Sequence, residues 1–223
     1  MCGTVGPILL SIYFATPTFT DWPLASATPE RIAAYAVAHE RLFFAGAWLQ
    51  GTGALASALF FVLLTELSAP DAPLLRMVTV VAAALLLAIV LVEGAFLSAV
   101  PMAAANNDIA TVAAAFALSN GVFVRVFPIV PAPLLFAVAG AALSQGALLP
   151  RLFRTSAWVL AALFELAGIA AIFSHRGFIA AIILAVGQQF WILAAALTLV
   201  VAQPNPLTVV ATGNTCPVRS NAR

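Results

Sequence analysis

Polar residues in this chain come in short groups separated by long apolar runs, and the spacing of the groups lays out the elements. No charged residue occurs from Leu42 to Thr65, a run that ends at Glu66 before the turn Ser68-Ala69-Pro70-Asp71-Ala72-Pro73. A second run, 77–100, is interrupted only by Glu93 and is followed by Pro101. A third, 108–127, opens on the group Asn106-Asn107-Asp108 and ends at Pro128, Pro131 and Pro133. A fourth covers 134–149 and meets Pro150; a fifth covers 155–174, and a sixth covers 178–202 before Pro204 and Pro206. A helix needs about 20 apolar residues to cross a hydrocarbon core about 30 Å thick, and proline stops helices because it lacks an N–H and restricts the residue before it. The pattern therefore predicts an all-α fold, a polytopic transmembrane helix bundle of six spans. It forms one domain over 1–206, with a polar tail over 207–223. Pro131 and Pro133 leave a second reading open for segments three and four, a kinked re-entrant turn.

The start of the chain admits three readings. Residues 4–20 are apolar but short and contain Pro7, so they form a seventh span, a half-helix against the bundle, or the remnant of a longer start. A secretory signal peptide fits poorly, since no positive charge precedes the apolar stretch. Thr28-Pro29-Glu30-Arg31 reads as a helix start, with Thr28 as N-cap, Pro29 in the first helical position and Glu30 in the first turn. Ile32, Tyr35, Ala36, His39, Leu42 and Phe43 then recur at helical spacing, which predicts an amphipathic extension leading into segment one.

Composition turns this pattern into a statement about solvent. The 223 residues are 64% hydrophobic and 8% charged, where a soluble domain carries about 25% charged residues. The nine basic residues are all Arg, against eight acids. So few charges cannot build a soluble surface, while the abundance of apolar residues excludes disorder. No basic stripe exists to neutralise phosphates, which argues against nucleic acid as a partner. The lipid bilayer is the partner that remains, with a small solute or a lipid as the ligand classes to consider. Oligomeric state is not readable.

With six full spans, Arg31, Arg41, Arg151, Arg154, Arg219 and Arg223 share one side, and Arg76, Arg125 and Arg176 the other. The positive-inside rule then makes the first side, and with it the C-terminus, cytoplasmic. The same parity places His39 and His175 on opposite faces, which disfavours a haem held between two histidines. Cys2 and Cys216 stand alone near the termini, and no Cys pair or HExxH spacing is present. No metal or other cofactor is expected, and neither a P-loop nor a serine-nucleophile motif occurs.

An ionisable group in lipid costs a few kcal/mol on insertion scales, so those within spans must face protein or water. Glu93 and Glu165 are the two carboxyl groups so placed, and Asn120, Gln50, Gln188 and Gln189 are the amides. Rise per residue puts these six in a band about 10 Å tall, with His39, Glu40 and Arg41 at its mouth. Ser and Thr are set aside because they can bond their own helix backbone. One reading is a polar cavity in which the carboxyl groups handle a proton, a cation or a small solute. A second is an intramembrane enzyme acting on a lipid or isoprenoid, with a carboxylic acid as proton donor. A third is an accessory or scaffold subunit whose amides and acids join helices by hydrogen bonds worth about 0.6 kcal/mol each on average.

The run Thr28-Pro29-Glu30-Arg31 with Tyr35 and His39, followed by Ala47-Trp48-Leu49-Gln50-Gly51-x-Gly53-Ala54-Leu55, resembles the early part of a group of uncharacterised bacterial multi-pass membrane proteins. The resemblance covers about the first third of the chain. It implies a bacterial inner-membrane setting and carries no reaction with it.

Overall fold

Eight helices account for nearly all of residues 1–24 and 26–202, the part of the chain that the computed structural model describes. They are α1 (Cys2–Phe19), α2 (Pro29–Ala38), α3 (Glu40–Ser68), α4 (Pro73–Ala105), α5 (Ile109–Val126), α6 (Pro131–Gln145), α7 (Arg151–Phe173) and α8 (His175–Ala202). No strand occurs among the described residues, so the all-α class stands. Five helices, α1, α3, α4, α7 and α8, are long and apolar enough to cross a membrane, while α5 and α6 contribute shorter apolar stretches. The tail over 207–223, with Cys216, Arg219 and Arg223, lies outside the described residues.

Helix ends follow local chemistry. The Thr28 hydroxyl accepts from the Arg31 backbone N–H at 3.4 Å, with Pro29 and Glu30 in the first turn of α2. The helix does not run on into the next span. Backbone angles change at His39, which closes α2 and opens α3. Between α4 and α5 the chain reverses over three residues. Asn107 takes a left-handed φ of 55°, the conformation that Asn tolerates better than most residues. Its N–H and that of Asp108 then reach back to the Ala104 and Ala103 carbonyls, both at 3.0 Å, a Schellman closure of α4. Asp108 next caps α5, accepting the Thr111 N–H at 3.1 Å and the Thr111 hydroxyl at 2.5 Å. Those two bonds, the side-chain one first, hold the exposed Asp108 carboxyl below its ordinary range.

Pro101 does not end the second apolar run as the sequence suggested. It is buried inside α4, which continues to Ala105, as apolar helices with packed neighbours allow. Pro7 and Pro17 likewise lie within α1. The prolines after Phe127 do break the chain, and there Pro131 occupies the first turn of α6.

Helix directions follow from which residues meet. Along the α1–α3 contact, Gly3 lies against Phe60, Gly6 against Ser57, Leu10 against Gly53 and the Tyr13 ring against Gly46, so the two helices are antiparallel. Gly3 also meets Ala196 of α8, while Leu10 and Phe14 share a cavity wall with Gln188 and Gln189. Hence α8 also opposes α1 and runs parallel to α3. The segment 4–20 is thus a helix lying along the bundle. At the far end Gly146, just after α6, abuts the Ser68 carbonyl.

The α5–α6 pair corrects the expected topology. Helix α5 starts beside the end of α4, at the His39 end of the bundle, and α6 finishes at the Ser68 end. The two therefore carry the chain across once, as a broken crossing, and segments three and four are not two full spans. The consequence reaches the charges. Arg31, Arg41 and Arg176 lie at the His39 end, and Arg76, Arg151 and Arg154 at the other. That three-to-three division among described side chains removes the bias that oriented the C-terminus. Arg125, Arg219 and Arg223 fall outside those side chains. His175 now starts α8 at the same end as His39, so the parity objection to paired histidines fails as well. The His175 side chain is also outside the described set.

Two apolar clusters hold the bundle. Toward its middle and the Ser68 end, Phe61, Phe136, Phe164 and Trp191 form a connected aromatic group, tied to α7 by a 2.8 Å bond from Trp191 Nε1 to the Ser156 hydroxyl. At the His39 end, Phe43 and Phe116 join Ile32, Leu97 and Val100, with Trp22 and Tyr35 packed against them.

Candidate functional site

Glu93 is on the buried stripe of α4. Leu86, Val90, Glu93, Leu97 and Val100 recur at helical spacing and are all buried, so the carboxyl at 93 points where its apolar neighbours point. The facing stripe on α3 contains Phe43, Gly46, Gln50, Gly53 and Ser57. Gln50 and Glu93, 1% and 5% exposed, meet where the stripes face one another. The Gln50 Nε2 amide donates to Glu93 Oε2, and the Tyr13 hydroxyl donates to Glu93 Oε1 at 3.4 Å. Three helices thus converge on one carboxyl. Gln50 is ten residues into α3, about 15 Å from the His39 end.

Tyr13 reaches the carboxyl because α1 comes unusually close to α3. A Cβ on Gly6 would stand 2.5 Å from Ser57 Oγ and 2.9 Å from the Gly53 carbonyl oxygen. Only glycine lets the backbones approach this far, as small-residue faces do in membrane bundles. Tyr13 is seven residues beyond Gly6, two turns along the same face.

The other expected site residues divide. Glu165 does not join Glu93. It is exposed on α7 and makes no hydrogen bond or ion pair among the described residues, since the buried α7 stripe passes through Ala161, Phe164, Ala167 and Gly168 on either side of it. Asn120 is half-buried and spends its amide on its own helix, donating to the Phe116 carbonyl at 2.8 Å. Gln188 and Gln189 are buried and line a small cavity between α1, α3, α4, α6 and α8, about one turn beyond Glu93. Gln189 Nε2 donates to the Ala185 carbonyl at 3.1 Å. The polar groups form two neighbouring layers, then, rather than one cavity.

His39, Glu40 and Arg41 line an open groove of about 610 Å³ with Thr20. The His39 ring stacks on Tyr35 with centroids 4.2 Å apart, and its Nδ1 is 3.1 Å from the Tyr35 carbonyl. Phe43, four residues after His39 and seven before Gln50, lies on the α3 face between them. It is fully buried and touches Trp22 at 4.7 Å. An aromatic layer therefore separates the groove from Glu93.

Two residues of these layers were not anticipated. Tyr13 fell in the segment whose role was left open, although it is the one phenol in that apolar run. Ser57 was set aside with all hydroxyls as bonding its own helix. Thr65, Thr79 and Ser144 do so, but the buried Ser57 Oγ has no partner. The glycine at position 53, four residues earlier, was the available signal that a neighbouring backbone comes close there.

Chemically, the site offers one carboxyl held by a hydroxyl and an amide, with no cationic side chain on it among the described residues. As placed, Gln50 suits a carboxylate acceptor, and its own Oε1 is buried without a partner. Rotation of the amide by half a turn exchanges N and O and would turn Oε1 toward an acid proton on Glu93. Gln50 can therefore serve either state of the carboxyl. Among the described residues, no three His, Cys, Asp or Glu side chains gather as a metal-binding group. Comparison with family models, curated proteins and solved structures gives no match.

Proposed function

We propose that this is a multi-pass protein of the bacterial inner membrane in which Glu93 takes up and releases a proton, moving it, alone or with a small solute, through the bundle. The observation that carries the reading is the Glu93 carboxyl, 5% exposed and bonded, among the described residues, only by neutral donors. Among the described residues an ionised carboxyl there has no opposite charge to offset it, and a proton is the smallest species that neutralises it. Gln50, able to donate or accept, keeps a partner for both states. The inner-membrane setting is supported by the apolar helices and by the resemblance of the first third of the chain to bacterial multi-pass proteins.

Reconstitution of the full chain in liposomes containing a pH dye tests this. With a potassium-diffusion potential applied, wild type is expected to acidify or alkalinise the lumen faster than empty liposomes. Glu93→Gln, which keeps the hydrogen bonds but removes the titrating group, is expected to abolish the difference. Equal rates for wild type and Glu93→Gln would leave the Tyr13–Glu93–Gln50 cluster as helix-joining glue and overturn the proposal.

A further inference from the structure

One cavity carries polar groups that the Glu93 site does not use. It measures about 20 Å³ and lies one turn from Glu93 toward the Ser68 end. Its wall is mostly apolar, with Leu10, Ala54 and Val90 among the residues, and Ser57, Gln188 and Gln189 supply the polar part. These three polar residues are 3%, 7% and 2% exposed. Ser57 Oγ and Gln189 Oε1 are both buried without a hydrogen-bond partner in the protein. A buried polar atom left in that condition carries its full desolvation penalty. A water molecule needs roughly 10–15 Å³ of such space and two to four polar partners, and the cavity supplies both.

We propose that the cavity is a water site, with one ordered water donating to Gln189 Oε1 and exchanging a hydrogen bond with the Ser57 hydroxyl. The site adjoins the Glu93 cluster on each shared helix. Val90 precedes Glu93 by three positions, Ala54 follows Gln50 by four, and Leu10 precedes Tyr13 by three. The water thus extends the polar line from Glu93 toward the middle of the bundle. That extension matters for proton movement only if the proposed function holds; the occupancy of the site does not depend on it. No carboxylate lines the cavity among the described residues, so a neutral ligand fits it better than a cation.

Magic-angle-spinning NMR of the full chain in bilayers, labelled with 15N-glutamine, reads the site directly through magnetisation transfer from water to side-chain amides. Transfer is expected at the Gln189 amide, assigned by its loss in Gln189→Leu, and is expected to vanish in Ser57→Val, whose extra methyl groups fill the cavity. Absence of transfer in wild type overturns the site, as does transfer unchanged by Ser57→Val. Loss of transfer on adding sodium chloride overturns it too, in favour of a cation. A cycle of unfolding midpoints gives an independent reading. Each single change is expected to lower the midpoint by about 3–6 °C, and the double variant to fall by less than the sum, because it orphans neither group. If neither variant folds, the Gln189 amide is assigned by its contact with the 13C-labelled Ala185 carbonyl, and the wild-type spectrum decides. An unchanged proton flux in Glu93→Gln would sink the proposed function alone and leave this site standing.

Discussion

Gln50 of α3 and Glu93 of α4 bond through their side chains across 43 positions of sequence, and that contact fixes the register of the two longest helices at the depth of the carboxyl. Gln50→Leu removes the donor and leaves Glu93 buried with Tyr13 alone. It is expected to lower stability by about 1–3 kcal/mol. The double variant Gln50→Leu/Glu93→Leu, which leaves no orphan, is expected to recover most of the loss. Reversible unfolding in mixed micelles measures both.

Two helical glycines, Gly6 of α1 and Gly51 of α3, behave oppositely. Gly6→Ala places a methyl group 2.5 Å from Ser57 Oγ and 2.8 Å from its backbone nitrogen, so α1 must move away from α3. The expected result is a loss of about 1–3 kcal/mol, together with weaker coupling of Tyr13 to Glu93. Gly51→Ala meets nothing within 4 Å and is expected to stabilise α3 by up to about 1 kcal/mol through helix propensity. Midpoints of the two variants, measured side by side, check the contrast.

Much of the helical layout was legible in the charge-free runs, and the reason is physical. Lipid-length apolar stretches must satisfy their own backbone, so their ends coincide with polar groups such as Asn106-Asn107-Asp108. Proline was the poor guide. Pro101 is absorbed into α4 while Pro131 starts α6, and nothing local to either residue separates the cases; the packing around them does. Reading α5 and α6 as two spans then misplaced Arg151, Arg154 and Arg176. Of the candidate site, Glu93 and Gln50 were recoverable because each interrupts an apolar run. Which way Glu165 faces was not, because depth along a helix says nothing about rotation around it. Tyr13 and Ser57 depend on the close α1–α3 approach, a tertiary fact.

Glu165 should be separable from Glu93. Its carboxyl lies eight residues before the end of α7, about 12 Å along the helix, and is exposed. Glu165→Gln is expected to leave proton flux in liposomes at the wild-type rate. A loss as large as that of Glu93→Gln would mean that the two carboxyl groups act together.

Asp108 gives a prediction outside the membrane-spanning segments. Its carboxyl is held below the ordinary range by the Thr111 hydroxyl and N–H, whereas an unfolded Asp titrates near about 3.9. A depressed native value means that the contribution to stability is full above the unfolded value and is lost as pH falls through the native one. Carbon-13 NMR of the Asp108 carboxyl is expected to show a midpoint below that of free Asp. Thr111→Val, which removes the hydroxyl donor, is expected to raise it.

On this reading Glu93 gains and loses a proton inside the bundle. Infrared difference spectra of the reconstituted protein across a pH step measure this directly, through the C=O stretch of a protonated carboxyl. The expected result is a band in wild type that is absent in Glu93→Gln, retained in Glu165→Gln and shifted in Gln50→Leu. A carboxyl band that is identical in wild type and Glu93→Gln would mean that Glu93 does not titrate.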